Sequence, residues 1–97
     1  MHKIKNMKID ISKFGTTLIS RPSGKEAFLA FKSNLVNIVK SETIELDFEK
    51  ISVLAPAWAD EFITPLVRIY GKKVLFLNTE NPSVQATLNI LKKSKES

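Results

Sequence analysis

Few side chains in this sequence could do chemistry, and those that could are scattered. The acidic pair Asp60 and Glu61 follows the single tryptophan in Ala57-Trp58-Ala59-Asp60-Glu61-Phe62. Adjacent carboxylates on a helix splay by about 100° and do not converge on one ion. At a helix start they read as partners of the macrodipole. Asp47 closes an alternating segment and, with Asp60, flanks one strand-to-helix connection. A general acid/base pair there would need the two to approach; a solvated Asp at a strand end is the plainer reading. The single histidine, His2, stands in the N-terminal tail, far in sequence from any candidate nucleophile that would need it as a base. There is no Gly-x-Ser-x-Gly segment, and Gly15, Gly24 and Gly71 are too far apart to cradle a phosphate. The chain has no cysteine, which excludes disulfides, thiolate zinc sites and thiol nucleophiles. The expectation is a protein that is not an enzyme and that holds no metal and no cofactor. Trp58 has two readings, a core aromatic at a helix start or a partly exposed anchor for a partner.

The elements that must position these residues are legible in outline. Met7-Lys8-Ile9-Asp10-Ile11-Ser12 alternates apolar and polar, as a half-buried strand does. A turn at Lys13-Phe14-Gly15 and the β-branched Thr16–Ile19 suggest a hairpin. Ser23 and Glu26 have the spacing of a capping box. Ala27, Phe28, Phe31, Leu35, Ile38 and Val39 then share one helical face. In Thr43–Glu49, Ile44, Leu46 and Phe48 point one way and Thr43, Glu45, Asp47 and Glu49 the other. Two strands with a polar face imply a sheet with its helices largely on one side. A second helix runs from about Ala57 to Tyr70, with Trp58, Phe62, Leu66 and Ile69 in a stripe, Pro65 inside it and Gly71 at its end. Lys72–Leu77 is apolar on both faces after its lysines, as an interior strand is. Asn81-Pro82-Ser83 opens a last helix, with Pro82 at its first position.

The chain of 97 residues carries 15 basic and 10 acidic side chains. The excess lies at the ends, in Lys3, Lys5 and Lys8 and in Lys92, Lys93 and Lys95, while the charges between Ile9 and Leu91 balance. With no basic stripe and no interleaved aromatics, the pattern argues against nucleic acid as a partner. The longest apolar run, Val74-Leu75-Phe76-Leu77, is far short of a membrane span, and the N-terminus does not have the form of a signal peptide. A cytoplasmic location is the expectation. The chain divides into a basic tail over 1–6, one domain over 7–92 and a frayed tail over 93–97.

Leu46-Asp47-Phe48-Glu49-Lys50-Ile51, followed by Pro56-Ala57-Trp58-Ala59-Asp60-Glu61-Phe62, resembles the STAS superfamily, and most closely its compact STAS-like domains of unknown function. Leu18-Ile19-Ser20-Arg21 and Leu75-Phe76-Leu77-Asn78 fit the same pattern. The resemblance implies a bacterial regulatory or signalling module without catalytic activity, distantly akin to anti-sigma-factor antagonists. Those antagonists carry Asp-Ser-Ser-Gly before the second helix, where a serine is phosphorylated by an ATP-binding kinase-like partner. A phosphate there adds about −2 charge to a docking surface. The aligned residues here are Ala55-Pro56-Ala57-Trp58, with no hydroxyl among them, and Ser52 lies on the wrong side of the loop.

The expected fold is α/β, a truncated STAS-like domain: a four-stranded mixed sheet with three helices in the order β-β-α-β-α-β-α. The expected function is protein–protein interaction. The surface would comprise Leu54, Ala55, Pro56, Ala57, Trp58, Asp60, Glu61, Thr64 and Arg68, and an open strand edge would leave room for a homodimer. The alternative is a small-ligand or nucleotide sensor using Asp47 and Asn78 at the carboxyl ends of the strands.

Overall fold

The computed structural model describes residues 6–33 and 43–96. The predicted extension of the first helical face to Leu35, Ile38 and Val39, and the tail with His2, lie outside them. The strands are β1 (Asn6–Asp10), β2 (Thr17–Leu18), β3 (Thr43–Asp47), β4 (Val53–Leu54) and β5 (Val74–Leu77). The helices are α1 (Arg21–Lys32), α2 (Pro56–Tyr70) and α3 (Pro82–Glu96). Short 3-10 turns fill Ile11–Phe14 and Gly71–Lys73.

The strands form two sheets rather than the expected four-stranded mixed one. β1, β3 and β5 make a three-stranded sheet in that order, and β2 pairs with β4 in a separate two-stranded one. Every pairing among the described residues is parallel. The expected hairpin between β1 and β2 is therefore absent. The 3-10 turn that follows Asp10 carries the chain out of the first sheet, with Ser12 donating its amide and hydroxyl to the Asp10 carboxylate. The two-residue β4 went unpredicted because it is too short to show alternation. β5 is an edge strand, not an interior one, and Leu75 and Phe76 are exposed on it. Lys72 and Lys73 precede it, a common way of discouraging edge-to-edge pairing.

The register aligns Ile9 with Leu46 and Phe76, and Ile44 with Val74. These side chains face the helices, and the opposite face carries Lys8, Glu45 and the exposed Leu75. The core gathers Ile9, Ile44, Leu46 and Val74 from the sheet, Phe31 from α1, Trp58, Phe62 and Leu66 from α2, and Val84 from α3. Phe62 is its hub: Trp58 stacks on it at 5.1 Å, while Phe14, Phe28 and Phe31 meet it at angles.

Helix starts follow local chemistry, with one correction. α1 begins at Arg21, so its N-cap is Ser20, whose hydroxyl accepts from the Ser23 amide; Ser23 is not the cap. The Pro22 ring suits the first turn and helps set this earlier start. α2 opens on Pro56, contains Pro65 and ends at Gly71, whose φ is +55°. Asn81 precedes α3 and accepts from the Ser83 and Val84 amides, while its side-chain amide donates to the carbonyls of Ile51 and Ser52.

Candidate functional site

The loop before α2 is fixed from both sides. The Ala55 amide donates to the Leu18 carbonyl. The Leu54 amide donates to the Ser83 hydroxyl at 3.0 Å, and the Thr87 hydroxyl donates to the Leu54 carbonyl. Leu54 is thus clamped between β2 and α3, and it is buried. Trp58 is also fully buried, and its indole N–H has no hydrogen-bond partner among the described residues. The core reading of Trp58 therefore holds, and the anchor reading does not. Of the expected docking loop, only Pro56 is exposed, with Ala55 and Ala57 half-buried beside it.

Beyond Trp58, α2 turns a polar edge outward. Asp60 and Glu61 meet one guanidinium, a partner the splay argument about a metal ion did not address: Arg21 Nη1 donates to Asp60 Oδ2 at 3.0 Å and to Glu61 Oε2 at 2.7 Å. The long guanidinium arm from another helix reaches across both positions. The dipole reading fails, since α2 starts at Pro56 and leaves its first turn without an acid. The Thr64 hydroxyl donates to Asp60 Oδ1 at 2.9 Å. The Arg21 guanidinium, and then this hydroxyl, hold the Asp60 carboxyl below the usual carboxylate range. With Arg21 and Asp60 both about half exposed, the pair orients α1 against α2 more than it stabilises them.

Thr64 and Arg68 continue this edge. It separates two depressions. One lies toward α1, a shallow hollow of about 310 Å³ between Lys25, Phe28 and Leu29 and the α2 residues Glu61, Thr64 and Pro65. The other lies toward α3, a cleft of about 470 Å³ whose walls include Ile63, Val67, Phe76, Leu88 and Leu91. Neither was visible in the sequence, because both depend on which helices are neighbours.

At the carboxyl ends of the strands, Asp47 and Asn78 are brought together. The Asn78 amide donates to Asp47 Oδ1 at 2.8 Å, and Asn78 takes a φ of +56°, a conformation asparagine tolerates well. The Glu49 amide donates to the same oxygen, and Lys8 lies 3.6 Å from Asp47 Oδ2. The Asn78 amide is the main reason that the carboxyl of Asp47 stays below its ordinary range; the Glu49 amide and Lys8 add to it against the cost of burial. Asp47 and Asp60 share no partner, so the two are not joined as an acid/base pair. No group of three or more potential metal ligands occurs among the described residues. No described helix is long and apolar enough to cross a membrane.

No curated protein and no solved structure matches the chain. A family model described as a STAS-like domain of unknown function matches residues 30–84. That span contains β3, the clamped loop, all of α2, β5 and the start of α3, which together position the outer edge of α2. The chain belongs to the family of STAS-like domains of unknown function.

Proposed function

We propose that this chain is a non-enzymatic regulatory module that docks a protein partner on the outer face of α1 and α2. The observation that carries the reading is the hollow between the two helices. Leu29 on its α1 side is 55% exposed, an apolar side chain ringed by Lys25, Glu61, Thr64 and Arg68. An exposed apolar centre with a mixed-charge rim is the usual anatomy of a transient interface. The distant resemblance to anti-sigma-factor antagonists suggests the class of partner, an ATP-binding kinase-like protein. With Ala55-Pro56-Ala57 at the start of α2, docking would not be gated by a phosphoserine there. A sensor role at Asp47 and Asn78 is weaker, because these groups already satisfy each other.

The test uses a photo-crosslinking residue at Thr64 and, as a control, at the exposed Lys8 on the far face of the sheet. The full chain is mixed with an ATP-binding kinase-like protein from the same cell. A crosslink from position 64 that Leu29→Asp abolishes, with unchanged thermal unfolding, is the expected result. No crosslink, or equal crosslinks from both positions, would refute the reading.

A further inference from the structure

The cleft on the α3 side of α2 differs from the hollow on the α1 side. Its volume of about 470 Å³ falls within the range of small-molecule sites, and its walls are apolar. Phe76 is 38% exposed there, against 1% for Phe48, on which it stacks at 6.3 Å. The polar residues that also line it are Asp60, Thr64, Arg68 and Lys92. The Asp60 carboxylate is already engaged by Arg21 and Thr64. Arg68 and Lys92 take part in no ion pair among the described residues.

The direction of the helices decides where those cations sit. Leu54, two residues before α2, bonds Ser83 and Thr87 in the first turns of α3, so the two helices start side by side. Arg68 near the end of α2 and Lys92 late in α3 then share the other end of the cleft. Arg68 also answers the negative end of the α2 dipole. The cleft is therefore mostly apolar, with the engaged Asp60 and Thr64 along α2 and two cations at one end.

The geometry points to a binding site in this cleft for an anionic amphiphile of the fatty-carboxylate class, its hydrocarbon along Phe76 and Leu88 and its carboxylate between Arg68 and Lys92. This goes beyond the docking role and uses the α3 side of α2, with Arg68 on the edge that the two depressions share.

The probe is dodecanoate below its micellar concentration, titrated calorimetrically into the delipidated full chain, with dodecanol as the uncharged comparison. Saturable binding of one dodecanoate per chain is expected, with dodecanol at least about tenfold weaker, the scale of one charge-assisted hydrogen bond. Lys92→Glu should weaken dodecanoate by at least about tenfold, and Lys92→Arg should retain it. Leu88→Trp, which fills the cleft, should abolish it. Should that variant fail to fold, Lys92→Glu and the dodecanol comparison still decide. No saturable binding, equal binding of dodecanol, or indifference to Lys92→Glu would overturn the proposal, as would displacement of dodecanoate from the cleft only by an acidic amphipathic peptide that binds far more tightly. Leu29→Asp leaves dodecanoate binding intact, so failure here and failure of the docking role are separate results.

Discussion

Gly24→Ala tests how closely α1 and α2 approach. Gly24 is buried in the first turn of α1, and a Cβ added there would lie 2.4 Å from the Trp58 carbonyl oxygen and 3.0 Å from the Trp58 Cα. Ordinary contact begins at 3.4 Å, so the helices would have to part by about 1 Å. Both sides of the contact are main chain, so no rotamer change can relieve it. Trp58 is also wedged against Phe62 and Phe14, which resist the shift. Overpacking of this kind costs about 1–3 kcal/mol. The better helix propensity of alanine returns about 0.8–1 kcal/mol. The net expectation is a loss of about 0–2 kcal/mol. For a domain of this size each kcal/mol lowers Tm by roughly 4–8 °C. Urea unfolding should show a lower midpoint with an unchanged slope. The sign is the test: an alanine variant more stable than the parent would mean that propensity alone operates and that the two backbones are not in contact.

Two further substitutions probe the supports of the site. Thr87→Val keeps the side-chain shape but leaves the Leu54 carbonyl only the long bond from the Ser83 hydroxyl at 3.4 Å, so equilibrium unfolding should show a loss of about 0.5–1.5 kcal/mol, and a neutral result would refute the contribution of Thr87 to the clamp. Asp47→Asn should cost stability at neutral pH in a pH-dependent way. The folded-state pKa of Asp47 is lowered, so its contribution is fully present above the unfolded value of about 3.9 and is lost as pH falls through the folded value. The gap between parent and variant should stay level down to about pH 5 and close below about pH 4; a gap unchanged at pH 2 would refute it.

The boundaries of α2 were legible because Pro56 and Gly71 punctuate it, and Asn81-Pro82 marked the start of α3 in the same way. Asp47 and Asn78 were legible as strand-end residues, and the structure joins them. What was hidden depends on partners remote in sequence. Alternation in Met7–Ser12 reveals a strand but not its neighbour: the nearest candidate in sequence is Thr16–Ile19, whereas the actual partner is β3. The apolar run Val74–Leu77 reads the same whether both faces are covered or its edge is left open. Gly24 reads as an ordinary residue of a capped helix start until Trp58 is set against it. Arg21 reaches Asp60 from 39 positions away, and no spacing rule within α2 could have supplied that cation.

The parallel pairing of all the described strands has a consequence for how the chain acquires its structure. Asn6 meets Thr43, 37 positions along, and no described strand finds its partner next door. Each pairing therefore closes a long loop before any ladder bond rewards it. During synthesis β1 must wait, unpaired, until β3 has left the ribosome, and β3 in turn waits for β5 to complete its other edge. Until then the apolar side chains of Met7 and Ile9 have no sheet to join. The all-parallel ladder that organises the finished domain thus makes its assembly late and nearly all at once, with refolding slower than in a helical domain of equal length.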